Sequence, residues 1–299
     1  MDRQEIQDVL FRDIVELADL AVLAIDHDFR VVYANKYLSE KIAGIPQSAL
    51  IGMSLPENAP VPDEDLQRVA EHSKRVLMSG RAERIEHWAL HKDGSRRLMY
   101  WSTTPKLSAD GRVEYLVAAG MDVTDQRREK LLLEDIAHRD ALTNLHNRMF
   151  FEKRFAEELV TAAQSNMTIA LFYIDLDGFK PVNDQFGHEI GDAVLCQVAS
   201  RLKKGLRQND IICRIGGDEF VVILPGVSSH DVASRIAEQM IERLSMEYIV
   251  SDNRCNVGAS IGISFCEAGT TELQELVRKA DLAMYLAKRK GKGQFAFSE

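Results

Sequence analysis

Asp218 and Glu219 stand side by side, directly after Gly216-Gly217 and directly before the apolar run Phe220–Leu224. Adjacent carboxylates repel each other and favour neither a strand nor a core. A divalent cation removes that repulsion. A third acid, Asp175, closes another apolar run, Thr168–Ile174. Mg²⁺ takes oxygen ligands and commonly bridges to substrate phosphates. One or two such ions shared by Asp175, Asp218 and Glu219 would suit phosphate chemistry, in which a metal pair about 3.5–4 Å apart activates a hydroxyl and stabilises a leaving phosphate. Asp177, two residues on, reads instead as a solvated loop carboxylate.

Bringing these acids together requires particular elements. Ile211–Ile215 and Phe220–Leu224 are β-rich runs joined by a short Gly-Gly segment, the pattern of a β-hairpin. Its turn needs positive φ, which glycine supplies without steric cost. Thr168–Ile174 is almost continuously apolar, as expected of a strand covered on both faces. Its end carries the acids, where α/β sheets usually bind ligands, and a hairpin tip beside that end completes the set. Ile190, Val194, Leu195, Val198, Ala199 and Leu202 form the apolar stripe of a helix. A helix over Asp231–Leu244, a strand over Val257–Phe265, a helix over Glu272–Lys288 and a last strand over Gln294–Phe297 follow. That order predicts an α/β (α+β) domain with helices packed on a mixed sheet.

The chain has 299 residues, enough for about two domains. Its net charge of −9 makes nonspecific DNA binding an unsuitable main role. An acidic protein still binds a nucleotide when a metal and local lysines offset the phosphates. Met1–Glu5 opens a polar stretch without a signal-peptide core. Leu20–Ile25, the most apolar stretch, is far too short to span a membrane. Cys196, Cys213, Cys255 and Cys266 match no zinc or redox spacing; they read as small hydrophobes in a reducing cytoplasm.

Residues 14–125 read as a small mixed domain after an N-terminal helix at 1–13. Ala21–Ile25 and Arg30–Tyr33 read as strands, Leu66–Leu77 as a helix, and Glu83–Leu90, Arg97–Thr104 and Arg112–Ala119 as a meander. Asp93-Gly94 and Asp110-Gly111 mark its turns. With Tyr33–Lys36, Ala49–Leu55 and Met121–Gln126, this part resembles a PAS domain. Residues 126–143 read as a helical signalling linker, with Leu132, Ile136 and Leu142 spaced to pair with a second copy or to serve as an ordinary amphipathic connector. There is no cysteine before residue 196, so a cysteine-based flavin photosensor is excluded. His72 reads as a surface or core histidine rather than a haem ligand, and the PAS ligand stays unassigned.

Residues 140–299 resemble the GGDEF family of diguanylate cyclases. The resemblance rests on Gly216–Phe220, on Asp175-x-Asp177-x-Phe179-Lys180-x-x-Asn183-Asp184, and on Asp140–Arg148, which is similar to the family's domain-opening motif. Asn144 stands where glycine is usual, and asparagine is the best non-glycine choice for positive φ. The resemblance implies a nucleotide-cyclase or palm-like fold. It implies conversion of two GTP into cyclic di-GMP and two pyrophosphates, with two Mg²⁺ (or Mn²⁺) per site. It makes Asp175, Asp218, Glu219 and the Leu176 carbonyl metal ligands, and either Asp218 or Glu219 the acceptor of the 3′-hydroxyl proton. Gly217 would admit the α-phosphate, and Gly178, Phe179 and Lys180 would hold the outer phosphates. Lys288 and Lys292 would reach the terminal phosphate; the family usually has arginine at Lys292, and lysine lacks its fork.

The resemblance also places guanine against Asn183 and Asp192, with His188 as a further substrate contact. A carboxylate accepts from the guanine donors and an amide pairs with its acceptor edge. Arg207-Gln208-Asn209-Asp210 matches the family's product-inhibition motif in residues and offset, with an Arg–Asp surface pair as the plainer reading. Because the product joins two nucleotides, two domains must face each other, which implies a PAS-regulated homodimer. A non-catalytic nucleotide or cyclic di-GMP sensor is the alternative. The intact acids disfavour it, and Asn183 with Asp192 disfavour an adenylate cyclase. No phosphodiesterase segment is expected beyond Glu299.

Overall fold

The computed structural model describes residues 9–10, 13–55, 59–165, 167–266 and 273–299. The expected N-terminal helix at 1–13 lies mostly outside them. The chain divides into two compact units, Met1–Leu132 and Leu133–Glu299.

The first unit is built on an antiparallel sheet. Its strands are β1 (Ala21–Asp26), β2 (Val31–Ala34), β3 (Glu83–Leu90), β4 (Arg96–Leu107) and β5 (Val113–Asp122), in the order β2-β1-β5-β4-β3. Helix α1 (Asp63–Ser79) follows Pro62 and ends at Gly80, whose φ of 60° closes the last turn. The expected turn glycines, Gly94 and Gly111, have φ of 82° and 81°. Two short helical segments, Tyr37–Ala43 and Gln47–Leu50, carry no sequence-level periodicity that foretells them.

Between α1 and the sheet lies a cavity of about 130 Å³, lined by Leu23, Leu38, Val69, His72, Trp101 and Leu116 among others. That is close to the roughly 150 Å³ that holds a benzene ring in an engineered core. His72 is a core histidine, as expected: its Nε2 lies 3.0 Å from Thr103 Oγ1, and its Nδ1 lies 3.6 Å from Glu83 Oε2.

Helix α2 (Thr124–Ala137) leads toward the second unit. There α3 (Arg148–Ser165), α4 (Phe179–Phe186), α5 (His188–Lys204), α6 (His230–Leu244) and α7 (Leu273–Arg289) accompany a five-stranded sheet. Its strands are β6 (Ile169–Asp177), β7 (Ile211–Gly216), β8 (Glu219–Pro225), β11 (Gly258–Cys266) and β12 (Phe295–Phe297), in the order β12-β11-β6-β8-β7. Only β12 pairs in parallel. β6 is central, and all its residues but Asp177 are buried. Phe172, Ile174 and Leu176 feed one core with α5 and α6, while Leu171 and Tyr173 feed another with α7. That double covering explains its unbroken apolar run.

A separate hairpin, β9 (Tyr248–Val250) with β10 (Asn253–Cys255), has no counterpart in the sequence reading. Its turn uses Ser251 and Asp252 at positive φ, so no glycine marks it.

Burial lowers the pKa of His72 and of His87. Glu83 opposes this at His72, while Arg75 and His87 reinforce it. At His87 the Trp88 carbonyl and Asp65 oppose it, and Arg68 reinforces it. Both histidines therefore bind fewer protons folded than unfolded. Stability is retained above the unfolded pKa of about 6.5 and falls as pH drops below it. The only two tryptophans, Trp88 and Trp101, both lie in this unit, so their fluorescence follows its unfolding. The expected result is a fluorescence melting midpoint that falls from pH 7.5 to 5.5, with a smaller fall in His72→Gln. A midpoint independent of pH refutes the assignment.

Candidate active site

The hairpin forms as expected. β7 and β8 pair antiparallel across Gly217-Asp218, and Gly217 has φ of 50° while Gly216 stays in the strand. β8 pairs with β6 so that Glu219 stands opposite Asp175. The Leu176 N–H donates to the Asp218 carbonyl at 3.2 Å, which stitches the turn to the end of β6.

An arginine that the sequence reading passed over fixes this turn. Arg214 donates from Nε and Nη2 to the Gly217 carbonyl at 2.9 and 2.8 Å, and from Nη1 to Asp140 Oδ1 at 3.0 Å. Asp140 also accepts from the Thr143 N–H and hydroxyl at 2.9 and 2.6 Å. Burial works against the Asp140 carboxylate, but the Thr143 and Arg214 contacts outweigh it and hold its pKa below the usual range. The neighbouring Asn144 has φ of 53°, the conformation its substitution for glycine requires. The opening motif of this unit is thus wired to the acidic turn.

Burial pushes the Asp175 carboxyl up, and the charges of Asp218 and Asp177 add to that; the Lys288 ammonium, 2.6 Å from Oδ1, pulls the other way. Burial also raises Glu219, with Asp175, Asp281 and Asp218 adding, against a hydrogen bond from Tyr173. Asp175, Asp218 and Glu219 therefore lie within electrostatic reach of one another. Among the described residues, though, no three His, Cys, Asp or Glu side chains gather closely enough to hold a metal ion, and Lys288 supplies the positive charge at Asp175. The donor set still fits a hard cation. It is all oxygen, it stands at the ends of two adjacent strands, and the negative charges around Asp175 and Glu219 add to the burial that raises both carboxyls.

Asp177 departs from its reading as a solvated loop carboxylate. Its Oδ2 accepts from the Ser260 hydroxyl at 2.8 Å and from the Gly293 N–H at 2.9 Å. Next along the chain, Gly178 caps α4 with φ of 79°, Phe179 is buried, and Lys180 is exposed.

Asn183 and Asp192 come from adjoining helices, α4 and α5, which meet at Gly187. A Cβ at Gly191 would lie 1.8 Å from Asn183 Oδ1, so only glycine lets the Asn183 amide pack against α5 one residue before Asp192. His188 and Asp192 are exposed, as is Lys292. Farther along, the Asp210 carboxylate accepts the Arg207 N–H at 2.7 Å instead of its guanidinium. The Arg–Asp surface pair is thus not formed, and the exposed Arg207 makes no ion pair among the described residues.

Replacing Arg214, whose side chain is 11% exposed, removes three charge-assisted hydrogen bonds. Arg214→Met is expected to cost about 1.5–3 kcal/mol of unfolding free energy in the second unit. Arg214→Lys, lacking the fork, is expected to recover less than half of it. Denaturant unfolding checks both, and an undiminished midpoint in Arg214→Met counts against the clamp.

Comparison with known proteins matches both units of the chain. Residues 137–294 match the family model described as diguanylate cyclase, GGDEF domain, and residues 15–128 match a PAS fold. The probable diguanylate cyclase DgcE of Escherichia coli is 33% identical over 93% of this chain, which covers 25% of that protein. The chain spans about a quarter of the length of the first curated relatives it matches. The solved GGDEF domain of TpbB from Pseudomonas aeruginosa is 38% identical, with a TM-score of 0.52 over 54% of this chain and 95% of that one. The coiled coil and GGDEF domain of DgcB from Caulobacter crescentus, solved with cyclic di-GMP, is 27% identical, with a TM-score of 0.55 over 59% of this chain and 93% of that one. This chain belongs to the GGDEF diguanylate cyclase family, and a PAS-fold domain precedes its GGDEF domain.

Proposed function

We propose that this protein condenses two GTP into cyclic di-GMP with release of two pyrophosphates. The observation that carries this reading is the register of β6 and β8, which sets Glu219 opposite Asp175 beside the Gly217 turn. Asp175, Asp218, Glu219 and the Leu176 carbonyl would hold Mg²⁺. Such an ion neutralises phosphate charge and lowers the pKa of a bound hydroxyl.

The chain's own residues supply the rest. Asn183 and Asp192 present an amide and a carboxylate to a guanine edge, while adenine offers them the wrong pattern of donors and acceptors. Gly217 lets backbone approach the α-phosphate. The Gly178 and Phe179 amides, with Lys180 and Lys292, hold the outer phosphates, and His188 adds a substrate contact. Lys288, now on Asp175, is within reach of the terminal phosphate. Asp218 or Glu219 accepts the 3′-hydroxyl proton.

One domain holds one nucleotide, so each 3′-hydroxyl attacks the α-phosphorus in a second copy. Leu132, Leu133 and Ile136 on α2 are all exposed, a face that a partner helix would cover. The PAS domain would regulate the population of facing domains. Among the described residues no helix is long and apolar enough to cross a membrane. Cys196, Cys213 and Cys255 form no disulfide, which suits a reducing cytoplasm.

Incubating the protein with GTP and Mg²⁺ and weighing the product tests the reading directly. Cyclic di-GMP is expected, with turnover lowered by about 10²-fold or more in Asp218→Asn and Glu219→Gln. GTP binding without turnover in the unmodified protein would instead favour a nucleotide sensor.

Arg207 and Asp210 support a product-inhibition site, because the guanidinium is left available for a guanine edge or phosphate. Added cyclic di-GMP is expected to slow the unmodified protein and to slow Arg207→Ala much less. Equal inhibition of the two removes that role.

A further inference from the structure

The proposed phosphate site is assembled from two segments far apart in the chain. One is Gly178–Lys180, just beyond β6. The other is Lys288–Lys292, at the end of α7. We infer that Asp177 is the positioning residue that locks these segments together and so sets how the terminal phosphate is gripped. This rests on the functional reading above and deepens it.

The Asp177 carboxylate immediately precedes Gly178 and accepts the Gly293 N–H across 116 positions of sequence. Gly293 follows Lys292 directly, so one hydrogen bond ties the backbone beside that lysine to the strand end that carries Asp175. Ser260, fully buried on β11, donates to the same oxygen and fixes the carboxylate. The register explains the convergence. Asp177 lies opposite Gly258 and Asp175 opposite Ser260, so both acids and the serine share one face of the sheet. That face carries α7, whose last turn delivers Lys288 to Asp175.

The turn needs such a fastening. Gly291, Lys292 and Gly293 run at φ of 132°, 62° and 58°, three successive residues outside the ordinary regions and one of them not a glycine. The glycines take such φ freely, but Lys292 keeps it only where its surroundings over-determine it. Upstream, the Gly291 N–H reaches the Lys288 carbonyl at 3.3 Å and the Lys292 N–H reaches the Ala287 carbonyl at 3.4 Å, both long contacts. Downstream, Gln294 accepts from the Ile261 N–H at 3.0 Å, where β12 joins the sheet. Between these, Asp177 makes the only side-chain contact to the turn's backbone among the described hydrogen bonds. Gly293 is exposed, so water would satisfy its N–H without Asp177. Loss of the bond would then appear as freedom of the turn more than as unfolding.

The test compares nucleotides that differ by the terminal phosphate. Binding of 3′-deoxy-GTP, which lacks the attacking hydroxyl, and of GDP is measured calorimetrically with Mg²⁺ on the full chain. The unmodified protein is expected to prefer the triphosphate. Asp177→Ala is expected to lose about tenfold in triphosphate affinity, the usual worth of one charge-assisted hydrogen bond, with GDP affinity changed less than about twofold. Asp177→Asn keeps an acceptor oxygen and is expected to recover most of the preference. Since Asp177→Ala orphans the buried Ser260 hydroxyl, the double variant Asp177→Ala/Ser260→Ala provides a second arm free of that defect, with the same expected loss. Equal weakening of both nucleotides, or an unchanged preference in a folded variant, overturns the positioning role. An unmodified protein that binds neither nucleotide overturns the guanine-nucleotide reading itself, and this inference with it.

Discussion

Like charges facing each other across a β-ladder are destabilising, yet this domain places Glu219 opposite Asp175 at the end of its most buried strand. Burial raises both carboxyls, so the pair resists full ionisation without a cation. Lys288 supplies one charge. It does so because α7 packs against β11 at Gly262, where a Cβ would meet the Ala280 carbonyl at 1.8 Å. No larger residue permits that approach. The repulsion, the glycine that seats the helix and the lysine at the helix end form one arrangement, set by the register of the sheet.

The same constraint accounts for the clamp at the opposite side of the turn. Positive φ at Gly217 lets the chain reverse, but reversal alone does not fix where the acids point. Arg214 fixes it by taking the Gly217 carbonyl with two nitrogens and Asp140 with a third. The carbonyl is neutral and the carboxylate charged, so the guanidinium is balanced without drawing on the three site acids. An arginine serves here because its fork reaches two acceptors in fixed directions, as a lysine ammonium cannot.

Much of this was legible in the sequence. The hairpin, the central strand, α5, α6 and α7 follow from apolar spacing, and Asp93-Gly94 and Asp110-Gly111 gave their turns. What escaped has a common physical cause. Arg214 sits inside a strand pattern and looks like an ordinary polar interruption; only folding brings Asp140, 74 positions away, to its guanidinium. Asp177 reads as a loop carboxylate because Ser260 and Gly293 reach it from distant parts of the chain. Gly191 drew no reading, because the room it clears for Asn183 lies between two helices. Local pattern reports periodicity and turn chemistry; it does not report which side chains meet across a sheet. The turn of β9 and β10 failed for a simpler reason, since Ser251 and Asp252 adopt positive φ without a glycine to announce it.

The placement of strain follows from the distribution of burial. Phe172, Phe220 and Val222 on one face and Leu171, Val221 and Ile223 on the other are completely buried, so the sheet that carries the acids is close-packed on both faces. A rigid core of that kind over-determines its rim. It holds repelling carboxylates in register and, through Asp177, a turn of three positive-φ residues, of which Lys292 is not a glycine. The groups with chemical potential are accordingly at strand and helix ends, where side chains remain accessible. Their geometry is inherited from residues that never leave the core.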